Sequence, residues 1–185
     1  MTKAYIKFNK PLPLLDYFLP MIGDKKEVKI ADIGSGPYSI IGSYFPGIKV
    51  DIYHSDRQDF NPFWEKRQLK SIISVEYQNM EKLTYPDNFF DIVHCCNALD
   101  HTKNAKEAVK EMIRVCKIDG WVHIHCWLDQ LSTGYLHRWN AKKDGVFMNN
   151  IDTFDLKDFG FQIQFIDNGG ESRYNLIIAT LKKNL

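Results

Sequence analysis

The stretch "FFDIVHCCNAL", Phe89 to Leu99, is apolar almost without a break. A strand with one wet face alternates apolar and polar residues, whereas a strand covered on both faces reads as a continuous apolar run, the pattern of the middle of a parallel sheet. Parallel neighbours cannot be joined by a tight turn; they need a crossover, usually through a helix. The rest of the chain should therefore alternate strands with helices. "EVKIADIG" reads as a second buried strand, "IKVDIYHSD" alternates with Ile48, Val50 and Ile52 on one face, and "SVEYQNM" and "WVHIHCWL" supply two more.

Between them lie helical signals. "PLPLLDYFLPMIG" (Pro11 to Gly23) has Pro in its first turn and Gly at its end, and "YSIIGSYF" begins a helix that Pro46 stops. "NPFWEKRQLKSI" reads as helix or loop. In "TKNAKEAVKEMIRVCKIDG" the residues Ala105, Ala108, Val109, Met112, Ile113 and Cys116 make one apolar face, with Gly120 after the helix end. A polar, aromatic-rich stretch (Asp129 to Asn150) precedes a short helix, "TFDLKDFG". "FQIQFID" and "YNLIIATL" close the chain, and the "NGGESR" between them is too short for a crossover, so they should pair as an antiparallel hairpin. The expected architecture is a three-layer, doubly wound, Rossmann-like α/β fold. Its seven-stranded sheet is mostly parallel, with one antiparallel strand from the C-terminal hairpin. One domain should span residues 1–185, with an N-terminal helical segment at 1–27 and a substrate-side insertion at 129–150.

Composition narrows the partners. The chain has 185 residues and a formal net charge of +1, so no general electrostatic attraction to nucleic acid or membrane is expected. No charged-then-apolar leader opens it, and no apolar run reaches the roughly 20 residues that span a bilayer. A cytoplasmic location with Cys95, Cys96, Cys116 and Cys126 as reduced thiols is expected. His94 adjoins two of these cysteines, and "HIHC" holds His123, His125 and Cys126, but neither group has the paired spacing of a structural zinc site. On a strand His123 and His125 share one face and Cys126 takes the other. No metal is expected.

At the end of the first strand stands "DIGSGPYS", where sheets of this kind bind ligands. A dinucleotide fingerprint would need a third glycine where Ser39 stands. Gly34 and Gly36 alone allow many nucleotide ligands. The combination with downstream segments is more specific, and over about Lys29 to Lys183 it resembles the class I S-adenosylmethionine-dependent methyltransferases, particularly their small-molecule branch. "ADIGSG" resembles the family's first motif, with Tyr38 in place of its usual third glycine. "YQNMEKLTYPDNFFDIVHCCNALDH" is similar to the family's acid, Leu-Pro-Phe-like triplet, Asp-x-x-Phe-Asp-x-Val and Leu-Glu-His pattern. "AVKEMIRVCKIDGW" resembles the segment that precedes its fifth strand.

The resemblance implies S-adenosylmethionine as cofactor, leaving S-adenosylhomocysteine as product, and points to Asp32, Gly34, Ser35, Gly36, Asp56, Asn79, Met80 and Asn97 as its contacts. Glycines lack a Cβ and let the loop pass close under the cofactor. Asp32 suits the cofactor's amino group, or else N-caps the following helix. Asp56 ends the second strand, where it can accept both ribose hydroxyls; Asp51 is the rival acid but lies mid-strand. Asn79 stands where the family has an acid, and its amide oxygen can still accept from the adenine amino group. Met80 would lie beside the adenine or fill core, and Asn97 should line the methionine end.

Methyl transfer needs alignment, and a base only where the acceptor holds a proton. Asp100 and His101 match the family's Glu-His pair, and His101 is either a general base or a locally packed histidine. Tyr135, His137, Arg138 and Trp139 combine stacking and hydrogen-bonding groups, with Tyr135, His137 and Trp139 the candidates to hold the acceptor; a lid packed on the core is the plainer reading. "NPFW" (Asn61 to Trp64) resembles a motif of amino-methylating nucleic-acid enzymes, but it follows the second strand instead of the fourth and is a coincidence.

The expected function is methylation of an oxygen or nitrogen of a small molecule. A sugar or surface-polysaccharide precursor is suggested by a string of Gly, His, Trp and Asn within residues 129–150 that is similar to one in some methyltransferases of such clusters. A cofactor-binding module of the same fold without turnover, working through a partner, is the alternative. A nucleic-acid or protein methyltransferase is disfavoured by the neutral charge. Oligomeric state is left open by the sequence.

Overall fold

A computed structural model of the chain describes residues 13–37, 39–59, 74–128, 137–167 and 175–184. Seven strands of the described residues form one sheet in the order β3-β2-β1-β4-β5-β10-β9, namely β1 (Glu27–Ile33), β2 (Lys49–Asp56), β3 (Val75–Tyr77), β4 (Phe90–Cys96), β5 (Cys116–Trp127), β9 (Gln162–Ile166) and β10 (Leu176–Lys182). β1 is parallel to β2 and β4, β4 to β5 and β2 to β3, while β10 runs antiparallel to both β5 and β9. This is the expected Rossmann-like sheet with one reversed strand.

Both faces of the centre are covered. Ala31, Ile33, Val93, Cys95, Val122 and Ile124 face α2 (Ala105–Val115), whose Ala105, Ala108, Val109, Met112 and Val115 are buried. On the opposite face Val28, Ile30 and Ile92 pack on Phe18 and Ile22, which come from a 3₁₀ turn (Asp16–Phe18) running into the short helix α1 (Leu19–Ile22). Gly23 ends α1 at φ 58°, the role its position suggested. Among the described residues no helix is long and apolar enough to cross a membrane.

Three expectations need correction. The segment after β1 forms no helix over its described residues 39–45. Gly42 sits at φ 83°, where a Cβ would lie 2.0 Å from the carbonyl oxygen of Pro13. The carbonyls of Ile41 and Tyr44 accept from the N–H groups of Leu15 and Leu14, so they are unavailable to a helical ladder. The helix α2 stops at Val115, because Cys116 is already extended (φ −72°, ψ 137°) and begins β5. Gly120 is thus inside the strand, where a Cβ would meet Asp91 O and Cys116 Sγ at 2.8 Å. Only Leu156–Phe159 of "TFDLKDFG" is helical, as a 3₁₀ turn ended by Gly160 at φ 89°. The residues before it join a small antiparallel sheet of β6 (Asn140–Ala141), β7 (Val146–Met148) and β8 (Thr153–Asp155), whose Phe147 and Phe154 stack 5.4 Å apart. "NPFW", Tyr38 and the "NGGESR" connection lie outside the described residues.

Across the middle of the main sheet runs a polar row. Asp32 on β1 is in direct register with His54 on β2 and His94 on β4, and His94 is in register with His123 on β5. The Asp32 carboxylate accepts from Ser39 Oγ at 2.6 Å and lies 2.9 Å from His94 Nδ1 and 3.4 Å from His54 Nδ1. Burial alone would raise its pKa, but the hydrogen bonds from His54, His94 and Ser39 hold it below the usual carboxylate range. Tyr17 seals the row, its hydroxyl 2.9 Å from His94 Nε2 and its ring stacked on His123 at 4.7 Å. His123 and His125 do share a face.

Removing a partner from a buried charged network costs about 3–5 kcal/mol, so Asp32→Ala should lose at least about 3 kcal/mol in urea unfolding at neutral pH. The folded-state pKa lies below the unfolded value near 3.9, so the contribution is complete above that value and fades as pH falls through the folded pKa. The gap between wild type and variant should narrow below about pH 4. A gap under about 0.5 kcal/mol at pH 7 would contradict this account of the row.

Candidate functional site

Beyond the carboxyl ends of β1, β2 and β4 lies a cavity of about 540 Å³, within the range of small-molecule and cofactor sites. Its wall brings together residues from every segment that the sequence singled out. Gly34 and Gly36 come from the loop after β1, Asp56 from the end of β2, Asn79 and Met80 from beyond β3, and Asn97 from the end of β4. His101 lines it as well.

The loop after β1 is held by geometry that only glycine meets. Gly34 has φ 71°, its N–H and that of Ser35 both donate to Ser55 O, and a Cβ on it would lie 2.3 Å from Ala98 Cβ. Gly36 has φ 62°, and a Cβ there would meet nothing within 4 Å, so its bare Cα faces open space. Ser35 does not line the wall; its hydroxyl donates to Gly36 O. Asp32 does not line it either, because alternation along β1 turns it into the polar row on the α1 side.

Asp56 accepts the Gly36 N–H on Oδ2 and the Gln58 N–H on Oδ1, both at 3.0 Å. A carboxylate oxygen has two lone pairs, so each keeps one for a ligand. Asp51 is away from the cavity and paired with Lys49 at 3.4 Å. Asn79 Oδ1 accepts from Glu81 N and shapes the turn after β3. Met80 lines the cavity and also packs on the core. Asn97 adopts φ 48°, a conformation tolerated best by Asn after Gly, and its Oδ1 accepts from Trp127 N, tying the end of β4 to β5.

Leu99–His101 form one 3₁₀ turn. Burial pushes the His101 imidazole below its ordinary pKa, with the adjacent Asp100 opposing and His137 reinforcing the shift. In its neutral form the ring keeps one nitrogen lone pair. Residues 137–139 of the expected insertion fold back on this turn. Arg138 N and Trp139 N both donate to Asp100 O, and His137 Nδ1 lies 2.5 Å from Asp100 Oδ2. Arg138 lines the cavity, whereas Trp139 is 2% exposed, with Nε1 donating to Thr102 O and its ring edge-on to Phe154 at 5.5 Å. Trp139 is thus buried in the core and does not line the cavity. Tyr135 lies outside the described residues. Arg57 and Glu81 also line the wall. Nothing in the sequence marked them beyond their adjacency to Asp56 and Met80.

A family model described as "Methyltransferase domain" matches residues 32–124, half of the chain. The chain belongs to this methyltransferase family. The family's cofactor is S-adenosylmethionine. An uncharacterized methyltransferase of Bacillus subtilis (YcgJ) is 29% identical over 99 residues, covering 52% of this chain and 39% of that protein. A sterol 24-C-methyltransferase of Gibberella zeae is 28% identical over 119 residues, covering 60% of this chain and 31% of that protein. The chain thus spans about a third of the length of the curated relatives it matches. A solved S-adenosylmethionine-dependent methyltransferase of Aquifex aeolicus shares the fold, with a TM-score of 0.53 and 19% identity over 97% of each chain.

The cavity fits that cofactor on its own chemistry. A strip of loop without Cβ atoms faces open space at Gly36, a carboxylate with free lone pairs stands at Asp56, and an amide stands at Asn79. Hydrogen bonds to charged groups are worth roughly 1.5–3 kcal/mol, so Asp56→Ala should weaken S-adenosylhomocysteine binding by about tenfold or more in calorimetry. Asp51→Ala should leave it unchanged, and the reverse pattern would place the ribose elsewhere. Trp139→Ala should lose about 3–5 kcal/mol of folding stability. A fully stable Trp139→Ala protein with impaired turnover alone would return Trp139 to the acceptor site.

Proposed function

We propose that the chain is an S-adenosylmethionine-dependent methyltransferase acting on an oxygen or nitrogen of a small-molecule acceptor. The observation that carries this reading is one cavity whose wall is shared by Gly34, Gly36, Asp56, Asn79, Asn97, His101 and Arg138. When bound, S-adenosylmethionine supplies a methyl carbon on a sulfonium sulfur, which the acceptor atom takes as the C–S bond breaks and its electron pair returns to sulfur.

The chain's own residues then have distinct tasks. Gly34 and Gly36 let the backbone lie against the cofactor, Asp56 accepts from its ribose hydroxyls, and Asn79 accepts from the adenine amino group. Asn97, fixed by Trp127 N, borders the methionine part of the cofactor, beside which the acceptor must arrive. His101, with Asp100 and His137 behind it, handles the acceptor's proton, and Arg138 offers a fixed positive charge to an acceptor with anionic or hydroxyl groups. Polyhydroxylated acceptors such as sugar precursors suit these polar groups.

The purified protein should bind S-adenosylmethionine and S-adenosylhomocysteine and not NAD, whose fingerprint lacks its third glycine at Ser39. With labelled S-adenosylmethionine, a panel of hydroxylated and aminated metabolites should yield at least one methylated product. Tight NAD binding without S-adenosylmethionine binding would overturn the reading; cofactor binding with no product from any acceptor would favour a binding module.

A further inference from the structure

We propose that Asp100, His101 and His137 form a binding site for a divalent transition-metal cation that holds and ionises a hydroxyl of the methyl acceptor. The acceptor's role in this proposal rests on the methyltransferase reading; the cation site itself does not.

Each of the three side chains offers one ligand atom, and these atoms all lie within 4.8 Å of one another. They come from two segments far apart in sequence, stapled by the Arg138 and Trp139 N–H groups on Asp100 O and by Trp139 Nε1 on Thr102 O. The rings of His101 and His137 are 4.5 Å apart at 57°, so their edges converge without stacking flat. A site whose ligands are held by buried anchors in this way is preorganised.

Asp100 supplies a second, independent observation. It is 2% exposed, and its Oδ1 is buried with no hydrogen-bond partner among the described residues. His101 Nε2 lies 3.7 Å away, too far for a hydrogen bond but a natural separation for two ligands of one ion. An unpartnered buried carboxylate oxygen is costly, and a cation bridging to the imidazoles would satisfy it. Oδ2 sits 2.5 Å from His137 Nδ1, at hydrogen-bond distance, and a cation can take the place of the proton between them.

The cluster also opens in the right direction. The His101 side chain is 36% exposed and lines the cavity beside Asn97 and Arg138. Two imidazoles and one carboxylate suit Mn²⁺, Fe²⁺, Co²⁺ or Zn²⁺ better than the oxygen-preferring Mg²⁺ or Ca²⁺. Three protein ligands leave positions open for an exogenous oxygen. With His101 then a ligand in place of a base, an acceptor hydroxyl bound there loses its O–H proton to water, with the bonding pair remaining on oxygen, because the cation lowers the hydroxyl pKa. The substrate class narrows accordingly to hydroxylated acceptors. Among the described residues the earlier metal candidates are engaged otherwise, His94 with Asp32 and Tyr17, and His123 with the Tyr17 ring.

The test uses the full chain, stripped with chelator and titrated with MnCl₂ and separately with ZnCl₂. Free Mn²⁺ is followed by electron paramagnetic resonance, and S-adenosylhomocysteine binding is measured in parallel. One cation should bind per chain. His101→Gln and His137→Gln, each shown folded by circular dichroism, should bind it at least tenfold more weakly while still binding S-adenosylhomocysteine. Absence of binding up to millimolar Mn²⁺ and Zn²⁺, or binding unaffected by either variant, would overturn the proposal and identify the cluster as an ion pair that anchors residues 137–139. Intact S-adenosylhomocysteine binding alongside either result would leave the methyltransferase reading standing.

Discussion

A carboxylate in the middle of a buried sheet must find donors, and Asp32 finds them on both neighbouring strands. His54 and His94 flank it in register, Ser39 closes from the loop, and His123 extends the row to β5. This row fixes which way β1 faces. A one-residue slip would place the carboxylate among Ala31, Ile33 and their apolar partners. It would also move Gly34 away from the one position where its missing Cβ leaves room for Ala98. The cavity therefore depends on a contact that it does not itself contain.

From that register the site follows. β1 ends at Ile33, Gly34 and Ser35 hang from Ser55 O, and the loop arrives over the end of β2 with Gly36 N–H on Asp56. Asp56 both orients the loop and presents its remaining lone pairs to the space above. Asn97 performs the same double duty at β4, where its amide oxygen holds β5 and its side chain borders the cavity. Rigid strand ends and short loops divide the work, the strands fixing position and the loops supplying polar groups.

Much of this was legible in the sequence because it rests on local rules. The continuous apolar run of β4, the alternation in β2 and the short connection before β10 sufficed for a mostly parallel sheet and for the reversed strand. The spacing of Asp56, Asn79 and Asn97 after their strands sufficed to gather them at one end. What misled was decided by tertiary contact. "YSIIGSYF" has helix-compatible apolar residues, yet its carbonyls are taken by Leu14 and Leu15, partners distant in sequence. Asp32 looked like a ligand residue because motif position alone does not state which face of β1 a side chain takes. Trp139 looked like a stacking surface, since an aromatic in a polar stretch carries no mark of the Phe154 and Thr102 contacts that bury it. The meeting of Asp100, His101 and His137 depends on the fold-back of residues 137–139, which no periodicity encodes.

The central claim is a division of acids, with Asp56 serving the cofactor and Asp32 serving the sheet. A crystal structure of the protein with S-adenosylhomocysteine tests it most directly. The account predicts both ribose hydroxyls within about 3 Å of the Asp56 carboxylate, with Asp32 still bonded to Ser39 and His94. A complex in which Asp32 has turned to the ligand's amino group and Asp56 stands apart from the ribose would contradict it.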